Sequence, residues 1–186
     1  MSRELLSVFD SLSEKALSEI LQISSTINLT KKHLVLEPDK YSNDLFLVLK
    51  GSLKQYYLKE EKEVVFRLIV EDEFCCSAYT LITGGKTFEY IETTEETTLL
   101  RINYQKLSQL YNERIDVANL GRRLAEQYFV HEQDRLLSIV FKTPQERYLA
   151  FMQKNGSLVQ RFPLGTIASF LGMTQETLSR LRAKRF

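Results

Sequence analysis

The sequence predicts an α+β chain in three parts: a small β-sandwich or barrel with helix before it, a long helix, and a helix-turn-helix. Three observations predict this. Short β-rich runs separated by turn signals fill residues 33–102, a proline-free apolar periodicity occupies residues 112–141, and the tail combines small, capping and basic residues at fixed intervals.

The first 27 residues carry Leu5, Val8, Phe9, Leu12, Leu17, Ile20 and Leu21 at helical spacing, with a break near Ser11–Ser13 and Ser13 placed to cap the restart. The expectation is helix to about Ile27. The β-rich runs follow: His33–Leu36, Leu45–Leu49, Ser52–Leu58, Val64–Val70, Glu89–Thr93 and Thr97–Ile102. Pro38-Asp39, Lys50-Gly51, Lys59–Lys62 and Thr83–Lys86 break them. Strands this close argue for a closed or two-layered β-structure.

A single helix is expected from about Asn112 to Phe141, roughly 45 Å at 1.5 Å per residue. That exceeds what a small barrel needs for cover. Its apolar seam fits a dimer contact, and packing along its own barrel is the alternative. Thr143-Pro144-Gln145-Glu146 reads as a capping box with proline in the first turn, opening a new helix that should stop in a left-handed turn at Asn155-Gly156. The domain joint therefore falls at residues 142–144. The parts run 1–111, 112–141 and 142–186.

Bulk properties exclude several classes. The 186 residues are 44% hydrophobic with a net charge of +1, values of an ordinary globular chain. No apolar run approaches the ~20 residues of a membrane span, and the N-terminus lacks a secretory apolar core, so the cytoplasm is the expected location and no membrane partner is expected. Cys75 and Cys76 are adjacent, which disfavours a disulfide, so reduced buried thiols are expected. His33 and His131 lie far apart and offer no metal cluster. No nucleophile–base pair is readable, so enzymatic activity is not expected.

Charge is distributed unevenly. From Leu164 onward Arg180, Arg182, Lys184 and Arg185 face one acid, Glu176. Cations at a helix C-terminus are one account. The spacing supplies another. Ile167, Leu171, Met173, Leu178 and Leu181 are apolar, Ala168 is small where two helices would cross, and Gly172 suits a positive φ in the turn. Thr174 is placed to cap a second helix that exposes Gln175, Glu176, Ser179, Arg180 and Arg182. Arg can fork onto guanine, Glu accept from cytosine and Gln address adenine, while trailing cations neutralise phosphate. An ordinary helical hairpin is the competing account.

The order helix, barrel, long helix, helix-turn-helix resembles the CRP/FNR family of bacterial transcription regulators. The likeness is strongest at Ile167–Arg180, close to that family's Ile-Gly/Ala…Gly-x-Ser/Thr-x-Glu-Thr-x-x-Arg. It implies a cyclic-nucleotide-binding-like double-stranded β-helix (jelly roll), a dimerisation helix, and a homodimer on a palindromic double-stranded operator, with RNA polymerase as a further partner. It also implies base-edge contacts by Gln175, Glu176 and Arg180. Thr174 and Thr177 would touch phosphates, with Ser179, Arg182 and Lys184 beside them. The family's β-hairpin wing after the recognition helix has no counterpart before Phe186.

In nucleotide-binding members a barrel loop carries Gly-Glu for ribose and, about ten residues on, Arg-Ser for phosphate. Cys76-Ser77 and Thr87-Phe88 align at those places, and no arginine lies between Arg67 and Arg101. Lys86 lacks the bidentate fork, and Glu89 would repel phosphate. Cyclic AMP or GMP is therefore not expected as cofactor. An unknown small effector would meet Cys76, Ser77, Thr83, Gly84, Gly85, Lys86 and Thr87. A sensing module whose tail binds protein instead of DNA is the alternative function.

Overall fold

A computed structural model describes residues 9–183. Eight strands form two four-stranded antiparallel sheets, ordered β1-β8-β3-β6 and β2-β7-β4-β5. The strands are β1 (Ser24–Leu29), β2 (Leu34–Leu36), β3 (Asp44–Lys50), β4 (Leu53–Lys59), β5 (Lys62–Ile69), β6 (Phe74–Cys75), β7 (Tyr90–Thr93) and β8 (Thr97–Asn103). Leu36, Phe46, Val48, Leu53, Ile69, Cys75, Ile91 and Leu99 fill the space between the sheets. This is the expected jelly-roll arrangement.

Within the first sheet β3 is buried on both faces, which is why it reads as an unbroken apolar run. Val48 and Leu99 point into the barrel, whereas Leu47, Leu100 and Ile102 pack outward against helices. Those helices are α1 (Glu14–Gln22), α3 (Tyr104–Glu113) and the start of α4 (Ile115–Phe141), which contribute Ala16, Ile20, Leu107, Val117 and Leu120. Ser13 caps α1 as expected, receiving the Ala16 amide at 3.2 Å. Its own amide and hydroxyl donate to Asp116 in the first turn of α4.

Two boundaries differ from expectation. The first helix stops at Gln22, and residues 24–29 become β1, paired from Ser24↔Ile102 to Leu29↔Thr97. Ser, Thr and Ile are poor helix formers, and the open edge of β8 offers a full ladder instead. The early part of the expected helix, residues 1–8, lies outside the described residues. The long helix is also preceded by a separate one, since Arg114 is extended (φ −136°, ψ 106°) and turns the chain between α3 and α4. Arg114 Nε donates to Glu19 at 2.8 Å, tying that bend to α1.

After α4 come α5 (Pro144–Asn155), a 3₁₀ turn (Gly156–Gln160), α6 (Leu164–Phe170) and α7 (Gln175–Ala183). The capping box forms as read: Glu146 N donates to Thr143 Oγ1, and Thr143 N donates to Glu146 Oε2 at 2.8 Å. The left-handed stop does not form. Gly156 has φ −56°, and the chain runs on into the 3₁₀ turn. Leu158 and Val159 explain this, because continuing the coil packs both against the core under α6 and α7.

Candidate nucleic-acid interface and barrel loop

Helices α6 and α7 meet over Phe151, Phe162, Ile167, Ala168, Leu171 and Leu178. Ala168 is buried at the crossing. The turn between them depends on Gly172, with φ +63°, a region a β-branched residue enters only under strain. A Cβ there would stand 2.8 Å from Ile139 Cδ1 on α4, the movable end of an exposed side chain, so the positive φ is the constraint that favours glycine. Met173 N closes the turn on Ala168 O at 3.0 Å.

Thr174 caps α7: its Oγ1 accepts from Thr177 N at 3.1 Å and lies 2.9 Å from Thr177 Oγ1. Leu178 and Leu181 turn inward. Gln175, Glu176, Ser179, Arg180 and Arg182 stand exposed on the opposite side. Glu176 and Arg180 form an i,i+4 ion pair with both side chains about three-quarters exposed. Such a pair holds the two groups in line at little net energy. Lys184, expected among the phosphate contacts, lies outside the described residues, as does Arg185.

Two arginines that sequence reasoning passed over support this turn. Arg147 on α5 donates to Leu171 O at 2.7 Å, Gly172 O at 3.1 Å and Lys142 O at 2.6 Å. Arg135 on α4 donates to Phe170 O at 2.8 Å and stacks on the Phe170 ring. The carbonyls at the C-terminal end of α6 thus receive two guanidinium groups, a favourable place for cations. Nothing local in the sequence announces these bonds, because their partners lie 24 and 35 residues away.

The barrel loop is arranged differently. Ser77 is buried and caps α2 (Ala78–Thr83), which ends at Gly84 with φ +70°. Cys76 is half-buried, and its carbonyl accepts from Gln55 Nε2 at 3.1 Å. Thr87 is buried, and its backbone pairs with Asp39 and Lys40. Thr83, Gly84 and Lys86 are exposed, with Gly85 partly covered by Tyr79. The loop residues named from sequence therefore divide between barrel interior and outer surface.

The buried ionisable group here is Glu89, 5% exposed, accepting from Gln55 Nε2 at 2.9 Å. Burial pushes its carboxyl above the ordinary range, partly offset by hydrogen bonds from Ser77 and Gln55. Gln55 Oε1 and Thr80 Oγ1 are buried without a hydrogen-bond partner among the described residues. Arg67 lies nearby on β5, donating to Phe74 O at 3.0 Å with the Tyr128 ring beside it. Burial raises the Cys75 and Cys76 thiols to about 12 and about 11, which leaves both protonated and unreactive. No disulfide joins them. Among the described residues no helix is long and apolar enough to cross a membrane, and no group of three metal-ligating side chains converges.

Comparison with known proteins places this geometry. Residues 26–114 match the cyclic nucleotide-binding domain model. The fumarate and nitrate reduction regulatory protein of Vibrio cholerae is 25% identical over a match covering 74% of this chain and 59% of that relative's length. The structure of FixK2 from Bradyrhizobium japonicum superposes with a TM-score of 0.75 at 16% identity, covering 87% of this chain and 83% of that one. A putative transcriptional regulator of the CRP/FNR family from Eubacterium rectale gives 0.73 at 19% identity, covering 95% and 85%. Residues 26–114 thus match a cyclic nucleotide-binding domain, and the chain shares its fold with FixK2 and with the Eubacterium rectale regulator, while it spans about three-fifths of the length of the curated relative.

Proposed function

We propose that the chain is a homodimeric, sequence-specific DNA-binding transcription regulator whose barrel does not respond to cyclic AMP. One observation carries the DNA reading: α7 holds Gln175, Glu176 and Arg180 exposed on a capped helix, behind a left-handed turn at Gly172. Such a helix enters the major groove and addresses base edges with those side-chain types. RNA polymerase is a further partner in this reading.

Dimerisation is supported by α4. Ile115, Arg122, Phe129 and Leu136 recur every seven residues on one exposed stripe, with Phe129 64% and Leu136 56% exposed. Apolar groups at heptad spacing bury well against a second copy of the same helix. Arg135 and Tyr128 lie about 100° round α4 from that stripe, toward the chain's own C-terminal helices and barrel. Two copies joined along the stripe would present two recognition helices to half-sites one turn of DNA apart, about 34 Å.

The barrel loop does not fit a cyclic nucleotide. A ring phosphate needs a free cation and donors. Lys86 faces outward, and the nearby Arg67 guanidinium is engaged with Phe74 O and the Tyr128 ring. The interior presents the Glu89 carboxyl and the lone Gln55 acceptor. A buried like charge repels the ligand it would have to hold.

Titrating the chain against palindromic and scrambled duplexes, with Arg180→Ala beside it, tests the reading. The native chain should prefer the palindrome and weaken steeply with salt. Arg180→Ala should cost roughly 5- to 150-fold on the palindrome, the value of one bidentate base contact. Equal binding of both duplexes by both proteins would refute it. Calorimetry with cyclic AMP should show no heat of binding.

A further inference from the structure

Strand β5 is one edge of its sheet, pairing with β4 alone. Its outward backbone groups need partners, and an exposed edge invites unwanted strand pairing. Here the edge is covered by the reading head. Ser169 Oγ donates to Glu63 O at 2.7 Å and accepts from Val65 N at 2.9 Å. This is the pattern a residue of a parallel strand would make, accepting from one neighbour's amide and donating to the carbonyl two residues earlier. One hydroxyl thus stands in for a missing strand.

Arg135 completes the edge. Its Nη2 donates to Val65 O at 3.0 Å while Nη1 donates to Phe170 O at 2.8 Å. The guanidinium therefore joins three bodies: barrel edge, long helix and the first helix of the helix-turn-helix. Much of the surrounding joint is open. A cleft of about 780 Å³ runs beside it between β5, α4 and α5, with Val70, Leu137 and Phe151 among its walls. Away from the edge, Arg161 holds Glu71 and Glu95, at partly exposed side chains. Leu68 and Val70 also pack against the apolar core of the head, so its orientation rests on that contact and on the directional bonds of Ser169 and Arg135.

We propose that Ser169 and Arg135 are positioning residues for DNA reading: they dock α6 onto β5 and so fix α7 relative to α4. Neither touches DNA in this role. The proposal rests on the DNA-reading function above and adds what sets its geometry. Two heads held rigidly on paired α4 helices select one half-site spacing, whereas heads swinging at Lys142–Thr143 accept several.

Two measurements on the full chain separate the claims. Amide exchange at Val65 reads the docking without DNA. Ser169→Ala should speed it by roughly tenfold or more, Ser169→Thr should retain slow exchange, and Arg135→Lys, which keeps charge but loses the two-carbonyl fork, should speed it too. Spacing selectivity reads the positioning role, using a duplex selected by the native chain from a random-sequence pool and remade with half-sites 2 and 4 base pairs further apart. The native chain should discriminate by roughly tenfold or more and Ser169→Ala by under about threefold, with Ser169→Thr restoring selectivity. Unchanged Val65 exchange in Ser169→Ala and Arg135→Lys overturns the docking claim. Faster exchange with unchanged spacing selectivity overturns the positioning role. A native chain that selects no duplex overturns the DNA reading, and the positioning role with it, while Val65 still reports the docking.

Discussion

The recognition helix and the barrel loop are both places where this chain displays polar groups, and they display them in opposite ways. On α7 the groups stand in solvent, and among the described residues Glu176 and Arg180 pair only with each other. In the loop, Ser77, Thr87 and Glu89 are buried and bonded to strands and turns up to 48 residues away, as in Thr87 N to Lys40 O and Gln55 Nε2 to Glu89. Solvated side chains exchange water for an external partner at small cost. Groups already committed inside a barrel require those bonds to break first. The contrast teaches that the α7 groups remain free in the way the proposed DNA reading requires, whereas those of the loop hold the barrel together.

The largest effect expected from breaking that comparison is at Gly172. Gly172→Val places a branched side chain at positive φ, so unfolding should show a loss of roughly 1–2 kcal/mol from left-handed strain, with Ile139 free to move aside. The barrel should be unaffected by comparison, so a separate, earlier denaturant transition for the reading head is expected. Retained wild-type stability would mean that the turn is not the constraint described. Thr143→Ala should cost about 1 kcal/mol by removing the capping box of α5, read in the same unfolding experiment.

Smaller effects sharpen the barrel side. Glu89 has its folded pKa raised by burial above the ordinary 4.5. The folded chain therefore keeps that proton longer than the unfolded chain does. The associated stability is present below about pH 4.5 and is lost as pH rises through the raised value. Glu89→Gln should flatten this decline in urea midpoint against pH, though Glu73, also raised by burial, keeps part of the slope. Identical slopes in both proteins would contradict the burial account. Glu71 has the opposite sign. Arg161 holds its carboxyl at about 2, so its contribution is present above 4.5 and fades as pH falls toward about 2. Glu71→Gln should remove that acid-side loss and lower stability at neutral pH by the same amount, a small one because the pair is partly exposed.

Much of the fold was legible from local pattern. Six of the eight strands fall on the β-rich runs, and the capping box at Thr143 and the glycine turn at Gly172 sit where their residues placed them. The misreadings share a cause. Residues 24–29 became a strand because β8 offered them an edge, and Gly156 stayed right-handed because Leu158 and Val159 had a core to reach. In both cases a distant partner outweighed a weak local preference. The exposed face of α7 was legible because periodicity alone separates inside from outside on a helix. The roles of Ser169, Arg135 and Arg147 were not, because each bonds to backbone carbonyls or amides far away in sequence, and every residue type supplies those.

The sequence by itself determined the helix-turn-helix, the capping and turn residues that delimit it, and which of its side chains face outward, since these follow from spacing within about twenty residues. Only the tertiary structure decided that Glu89 lies inside the barrel against Gln55, and that the reading head rests on the edge of β5 through one hydroxyl and one guanidinium. Such bonds depend on where separate segments meet, and a hydrogen bond between them leaves no periodic mark in either segment.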